Sequence, residues 1–153
     1  ICVLITSCLA QKDVYVRVKG TITCTKKPNF DFKAMLMEDD TIDDDPVSDL
    51  VYGRPNWPGR DHSVPYEVSG VASDPEWGQS TVEPYLVVLH TCGTQKPNYG
   101  CVCKEWENIG RDMDVTLDID LDKDEMQCDY CAKRAVKEAI WKGVGGVLKF
   151  IGF

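Results

Sequence analysis

Apolar and polar positions along the chain fall into short segments with a period of two, and one segment stands apart because it is apolar on both parities. In Val82-Glu-Pro-Tyr-Leu-Val-Val-Leu-His-Thr-Cys92 an unbroken apolar run extends from Tyr85 to Leu89 and is closed by His90 and Cys92. A run of this length with β-branched and aromatic members predicts a strand covered on both faces. A short buried helix also fits the run. Pro84 at its mouth and Thr91-Cys92-Gly93 at its end leave that helix little length, whereas a strand tolerates a residue without an N–H at its start.

The neighbouring segments alternate. Val16, Val18 and Ile22 lie on one parity and Arg17, Lys19, Thr21 and Thr23 on the other, which predicts a half-buried strand. Gly20 in its middle predicts a bulge or a close backbone approach. A further strand is expected over Phe32–Met37, and a short one over Tyr66–Gly70 with Tyr66 and Val68 inward and Glu67 and Ser69 outward. From Pro46 to Pro65 the periodicity is lost, which reads as one long loop. Val71 to Thr81 reads as a loop or a single helical turn. Met113, Val115, Leu117, Ile119 and Leu121 alternate with Asp112, Asp114, Thr116, Asp118, Asp120 and Asp122. That pattern predicts a strand with one buried and one acidic face, the charges discouraging edge-to-edge association.

After Cys128-Asp-Tyr-Cys131 the period changes to that of a helix. Ala132, Val136, Ala139, Ile140, Gly143 and Val144 share one face, and Lys133, Arg134, Lys137, Glu138 and Lys142 spread over the other. Gly143, Gly145 and Gly146 weaken the helix toward an apolar tail that ends in Phe150 and Phe153. Many short strands separated by turn signals, with no alternation of strand and helix, indicate an all-β sandwich.

The order "V-R-V-K-G-T-I-T-C", "K-P", "M-L-M-E-D-D-T-I-D-D-D", "Y-E-V-S-G" and "V-E-P-Y-L-V-V-L-H-T-C" resembles the nematode transthyretin-like family over roughly residues 14 to 121. The resemblance implies a transthyretin-type two-sheet β-sandwich, prealbumin-like and immunoglobulin-like in class, over residues 14–125. Residues 126–153 then form a Cys-anchored helical extension, beyond the part that resembles the family. In the family pattern a shorter turn and a following strand stand where this chain has its 46–65 segment.

Composition narrows the chemistry. A formal net charge of −8 argues against nucleic acid as a partner. Residues 1–10 carry no charge and are followed by Gln11-Lys12-Asp13, which reads as the remnant of a secretory signal peptide, cleaved after Ala10. The alternative is a buried first strand. Removal of Cys2 and Cys8 with that segment leaves Cys24, Cys92, Cys101, Cys103, Cys128 and Cys131, an even number that in a secreted chain implies disulfides, with 15 possible pairings. Cys101 and Cys103 are too close to bridge each other without strain, so each is expected to pair elsewhere.

Three chemistries compete with structural roles for these residues. Some transthyretin-fold relatives hydrolyse 5-hydroxyisourate with histidines, an arginine and a closing Tyr-Arg-Gly-Ser. This chain has only His62 and His90 and lacks that motif, so no catalytic residue is assigned. His90 shares the face of Leu86 and Val88 and reads as a partly buried, hydrogen-bonded histidine. Cys101-x-Cys103 and Cys128-x-x-Cys131 have spacings that zinc could use, but the secretory start favours disulfides. Asp118-x-Asp120-x-Asp122 resembles the start of an EF-hand loop; Lys123 stands where glycine is required, and Asp129 where a bidentate glutamate is. The weak metal candidate is the loop cluster Asp39, Asp40, Asp43, Asp44 and Asp45, for which a solvated acidic turn is the plainer reading.

The sequence therefore predicts a secreted, non-enzymatic extracellular binding protein with no cofactor, associated with a cell surface or free. Its partner is an extracellular protein or a lipid surface. The 46–65 segment offers Arg54, Trp57 and Arg60 as partner-binding candidates, since aromatic and arginine side chains are the usual anchors of recognition. An ordinary loop with Trp57 laid on the core is the alternative. Two other roles remain: membrane-surface binding by the basic C-terminal helix, for which a helix docked on the sandwich and held by Cys128 or Cys131 is the plainer reading, and carriage of a small hydrophobic ligand, which in transthyretin uses a tetramer channel. Oligomeric state and disulfide pairing are left open by the sequence.

Overall fold

Strand β1, Asp13–Thr23, and strand β5, Ser63–Ser73, pair antiparallel over eleven residues and form the backbone of one sheet. The computed structural model describes residues 13–26, 30–39, 45–49, 51–53, 62–73, 80–93, 100–123 and 128. β8, Met113–Thr116, and β9, Ile119–Asp120, lie along the other side of β1 in parallel, giving a four-stranded sheet A of order β5-β1-β8 with β9 also on β1.

Sheet B has the order β3-β2-β6-β7, with β4 also paired to β2. Its strands are β2, Phe32–Glu38; β3, Asp45–Pro46; β4, Val51–Gly53; β6, Pro84–His90; and β7, Gly100–Glu105. The apolar run is thus an interior strand of its sheet, between β2 and β7, and all seven of its residues are buried. Val14, Val16, Val18 and Ile22 of β1 and Tyr66, Val68 and Ala72 of β5 meet Phe32, Ala34, Leu36, Leu86, Val88 and Val102 of sheet B in one core. The other parity of sheet B carries a second buried apolar cluster on the face turned away from sheet A. It comprises Met35, Met37, Tyr85, Val87 and Leu89 with Cys101, Cys103 and Cys128.

Three expectations need correction. The 46–65 segment is no single loop: it contains the end of β3, all of β4 and the start of β5. Strands of two and three residues are too short to show a period, so they carry no sequence signal. The strand expected at Tyr66–Gly70 runs from Ser63 to Ser73, with the inward and outward residues as expected. Pro65 is accommodated because β5 lies at the edge of its sheet. Its end takes in Val71–Ser73, where a loop or turn was expected. The alternating segment after Asp112 is two strands, interrupted at Leu117 and Asp118.

The interruption has a physical cause at Gly20. A Cβ there would run into the backbone carbonyl of Leu117, so the close approach expected at this glycine is present. The Leu117 N–H donates to the Lys19 carbonyl at 2.8 Å, and the Tyr66 hydroxyl donates to the Leu117 carbonyl at 2.8 Å. Residues 1–10, expected as a signal-peptide remnant, the partner-binding candidates Arg54, Trp57 and Arg60, Asp40, Asp43 and Asp44, and the helix expected after Cys131 lie outside the described residues. Among the described residues the protein is all-β.

Candidate functional site

The cysteines that close β1 and β6 in sequence meet at one end of the sandwich. Cys24 follows β1 in sheet A and Cys92 follows β6 in sheet B, and a disulfide joins them with Cα atoms 5.8 Å apart. The bond clips the two sheets together and closes a sequence separation of 68 residues, which in the chain-entropy picture stabilises the fold by roughly 4 kcal/mol. A second disulfide joins Cys101 on β7 to Cys128, and Cys103 is also disulfide-bonded. Zinc ligation by these thiols and disulfide formation are mutually exclusive, and Cys101 and Cys128 are in the disulfide.

His90 ends β6, two residues before the bridged Cys92. It is 3% exposed, more deeply buried than the sequence suggested. Its Nδ1 accepts the Cys92 N–H at 3.2 Å, which places the ring proton on Nε2, and Nε2 has no hydrogen-bond partner among the described residues. Burial pushes the imidazole pKa down to about 4 against the opposing pull of the Asp122 charge. The ring packs on Gly100, where a Cβ would overlap it. Thr91 clamps the same end: its N–H donates to the Asp31 carbonyl and its hydroxyl accepts the Asp31 N–H, both at 2.9 Å. The other histidine is also structural in its contacts, with His62 Nδ1 donating to the Cys24 carbonyl at 2.7 Å.

Asp122 completes this end. Its Oδ2 accepts the Thr25 N–H at 2.6 Å, and Oδ1 accepts the Lys26 N–H at 3.3 Å. Burial opposes its charge, but these bonds and that from the Thr25 hydroxyl outweigh it and hold the carboxyl below the usual carboxylate range. Cys24, Cys92 and Asp122 offer ligand atoms within 4.8 Å of one another. The two sulfurs are bonded to each other, so they are no thiolate pair, and the cluster does not fit a metal in the oxidised protein.

The acidic face read from the sequence is a set of backbone partners. Asp112 accepts the Tyr15 N–H, Asp118 the Thr21 N–H and Asp122 the Thr25 N–H, each from a residue 97 positions earlier. Carboxylates thus take N–H groups of β1 and the turn that follows it. Asp120 accepts the Asp122 N–H at 3.1 Å and pairs with Lys123. Asp118 and Asp122 bond to two different residues of the β1 side, so the aspartates do not converge as an EF-hand loop requires.

On the outer face of sheet A, Arg17 grips Glu67 through Nε and Nη2, both at 2.9 Å, and reaches Asp114 at 3.3 Å; Lys19 also meets Asp114, at 3.2 Å. The hydrogen bonds from Arg17 hold Glu67 below its ordinary pKa, and that from Lys19 does the same for Asp114. Beside this ladder Tyr15 and Val71, cross-strand partners, are 43% and 54% exposed. They are the exposed apolar pair of the described face, and an alternation pattern that reads outward residues only as polar does not find them. Asp39 follows β2 and Asp45 begins β3, paired with Glu38; Asp40, Asp43 and Asp44 of the acidic cluster lie outside the described residues.

A comparison with curated proteins finds Transthyretin-like protein 16 of Caenorhabditis elegans, 28% identical over 137 residues that cover 84% of this chain and 96% of that protein. No family model matches, and no solved structure matches.

Proposed function

We propose, from the premise that this chain belongs to the nematode transthyretin-like family, that it is a secreted, non-enzymatic binding protein acting outside the cell through its outer surfaces. The observation that carries the reading is the oxidised state of its cysteines: Cys24, Cys92, Cys101, Cys103 and Cys128 are all in disulfides. Such density is characteristic of oxidising compartments.

The roles of the two histidines support a binding rather than a catalytic function. His90 is buried and neutral at physiological pH, and both His62 and His90 serve backbone groups at the bridged end. A general base needs its free nitrogen within reach of a substrate proton, which a ring packed on Gly100 does not offer. Space between the sheets is filled by large side chains, among them Phe30, Phe32, Ile22, Leu36 and Leu86. Recognition therefore falls to the exterior, where Tyr15 and Val71 lie next to the Arg17–Glu67 pair. An apolar pair rimmed by charges is the composition of a recognition patch.

Labelled full-length protein applied to intact nematode cells is expected to bind saturably, to be displaced by unlabelled protein, and to lose affinity in the Tyr15→Glu variant. Unchanged binding by that variant contradicts the patch. Co-sedimentation with acidic vesicles that is lost on truncation at Cys131 transfers the role to the C-terminal segment.

A further inference from the structure

The outward face of sheet B is as dry as a core. Met35 and Met37 of β2, Tyr85, Val87 and Leu89 of β6, and Cys103 of β7 are each 8% exposed or less, and Tyr85 is 0% exposed. They form continuous rows across the sheet, Met35 beside Val87 beside Cys103, and Leu89 beside Cys101. Five apolar side chains on the outside of a two-sheet sandwich are buried only if something lies over them. Among the described residues the one member of the cluster from outside the sheet is Cys128, tied to Cys101. The cover therefore enters at Cys128.

We propose that residues 129–147 dock as an amphipathic helix on this face, pinned by two adjacent disulfides, Cys101–Cys128 and Cys103–Cys131. Cys103 is disulfide-bonded, yet the other described cysteines, Cys24, Cys92, Cys101 and Cys128, are already paired with one another. Its partner is one of Cys2, Cys8 and Cys131. Cys101 and Cys103 are two residues apart on β7, so their side chains leave the same face about 7 Å apart along the strand. Cys131 follows Cys128 by three residues, a span that covers this distance and, in a helix, keeps the two on adjoining positions of one side. Cys2 and Cys8 instead precede β1, which lies in the opposite sheet.

The dimensions agree. Three strands span about 10 Å across, the width of one helix, and a helix over residues 132–144 is about 20 Å long against about 23 Å for β6. Its face of Ala132, Val136, Ala139, Ile140 and Val144 is apolar like the rows beneath. Docked in this way, the apolar stripe is used within the molecule and is not available to a lipid surface, while Arg134, Lys137 and Glu138 face outward.

Two measurements on the full oxidised chain test this. Chymotrypsin cleaves after Tyr99, Trp106 and Tyr130, which places Cys101 and Cys103 on one peptide and separates Cys128 from Cys131. Without reduction, the peptide Gly100–Trp106 is expected in one species with both the Cys128 peptide and the Cys131 peptide. A free thiol at Cys131, or a bond from Cys103 to Cys2 or Cys8, overturns the proposal. Peroxide oxidation read by mass spectrometry tests the docking itself. Met35 and Met37 are expected to oxidise slowly in the native chain and several-fold faster in the Ile140→Asp variant, with Met113 on the other sheet unchanged. Equal rates for Met35 and Met37 in the two proteins overturn it.

Discussion

His90 couples the stability of the bridged end to pH. The unfolded chain takes up a proton on this ring near pH 6.5, while the folded chain holds it neutral down to about pH 4. Between those values the unfolded state binds more protons, so stability rises with pH across that window. Relative to pH 7, the loss at pH 4 is about 3 kcal/mol. Thermal unfolding followed from pH 7 to pH 4 is expected to show a falling midpoint in the natural protein and a flatter profile in His90→Gln. A parallel fall in both contradicts the assignment to His90. Glu67 and Asp114 act lower on the scale: their pKa values are depressed in the fold, so their contribution is present above the ordinary carboxylate range and lost as pH falls through it. At Gly20 the constraint is steric. Gly20→Ala forces a Cβ against the Leu117 carbonyl and is expected to cost about 2 kcal/mol in chemical denaturation.

At the scale of elements, β1 is held on its β8–β9 side by a mixed set of partners. Between the two short strands the Thr21 N–H and hydroxyl are both taken by Asp118, each at 2.9 Å. Asp118→Ala leaves that N–H without a protein acceptor and is expected to destabilise the protein by about 1–2 kcal/mol, read as a lowered denaturation midpoint. Amide exchange at Leu117 and Thr21 is expected to accelerate in the same variant. Sequence periodicity found the parity of Met113 through Leu121 correctly. It could not find the break, because a carboxylate that replaces a ladder bond has the same side-chain pattern as a solvated one. β6 was legible for the opposite reason: an apolar run on both parities has few other homes, and Pro84 and Cys92 mark its limits. β3 and β4 were illegible because two or three residues carry no period, and their pairing to β2 is decided by tertiary contacts.

For the whole molecule, the two sheets share one core and are clipped at one end by Cys24–Cys92. Removing this bridge in a Cys24→Ser, Cys92→Ser double variant is expected to lower stability by roughly 2–5 kcal/mol and to expose His90, raising its pKa toward the ordinary imidazole value. Which cysteines pair was not readable from spacing, since pairing follows from where β1, β6 and β7 end in space. Nor was the exposed Tyr15–Val71 pair readable, because alternation assigns a face without saying whether another element covers it. The recognition residues expected at Arg54, Trp57 and Arg60 lie outside the described residues, whereas Tyr15 and Val71 face each other on an eleven-residue antiparallel strand pair.

The central claim is a sandwich clipped by disulfides, proposed to act outside the cell. Its most direct test is a thiol and zinc count on full-length protein recovered from the medium of secreting cells, unfolded in alkylating reagent without reductant. No alkylated cysteine is expected among Cys24, Cys92, Cys101, Cys103, Cys128 and Cys131, and no stoichiometric zinc. Alkylation of Cys101, Cys103, Cys128 and Cys131 together, with one zinc per chain, contradicts it.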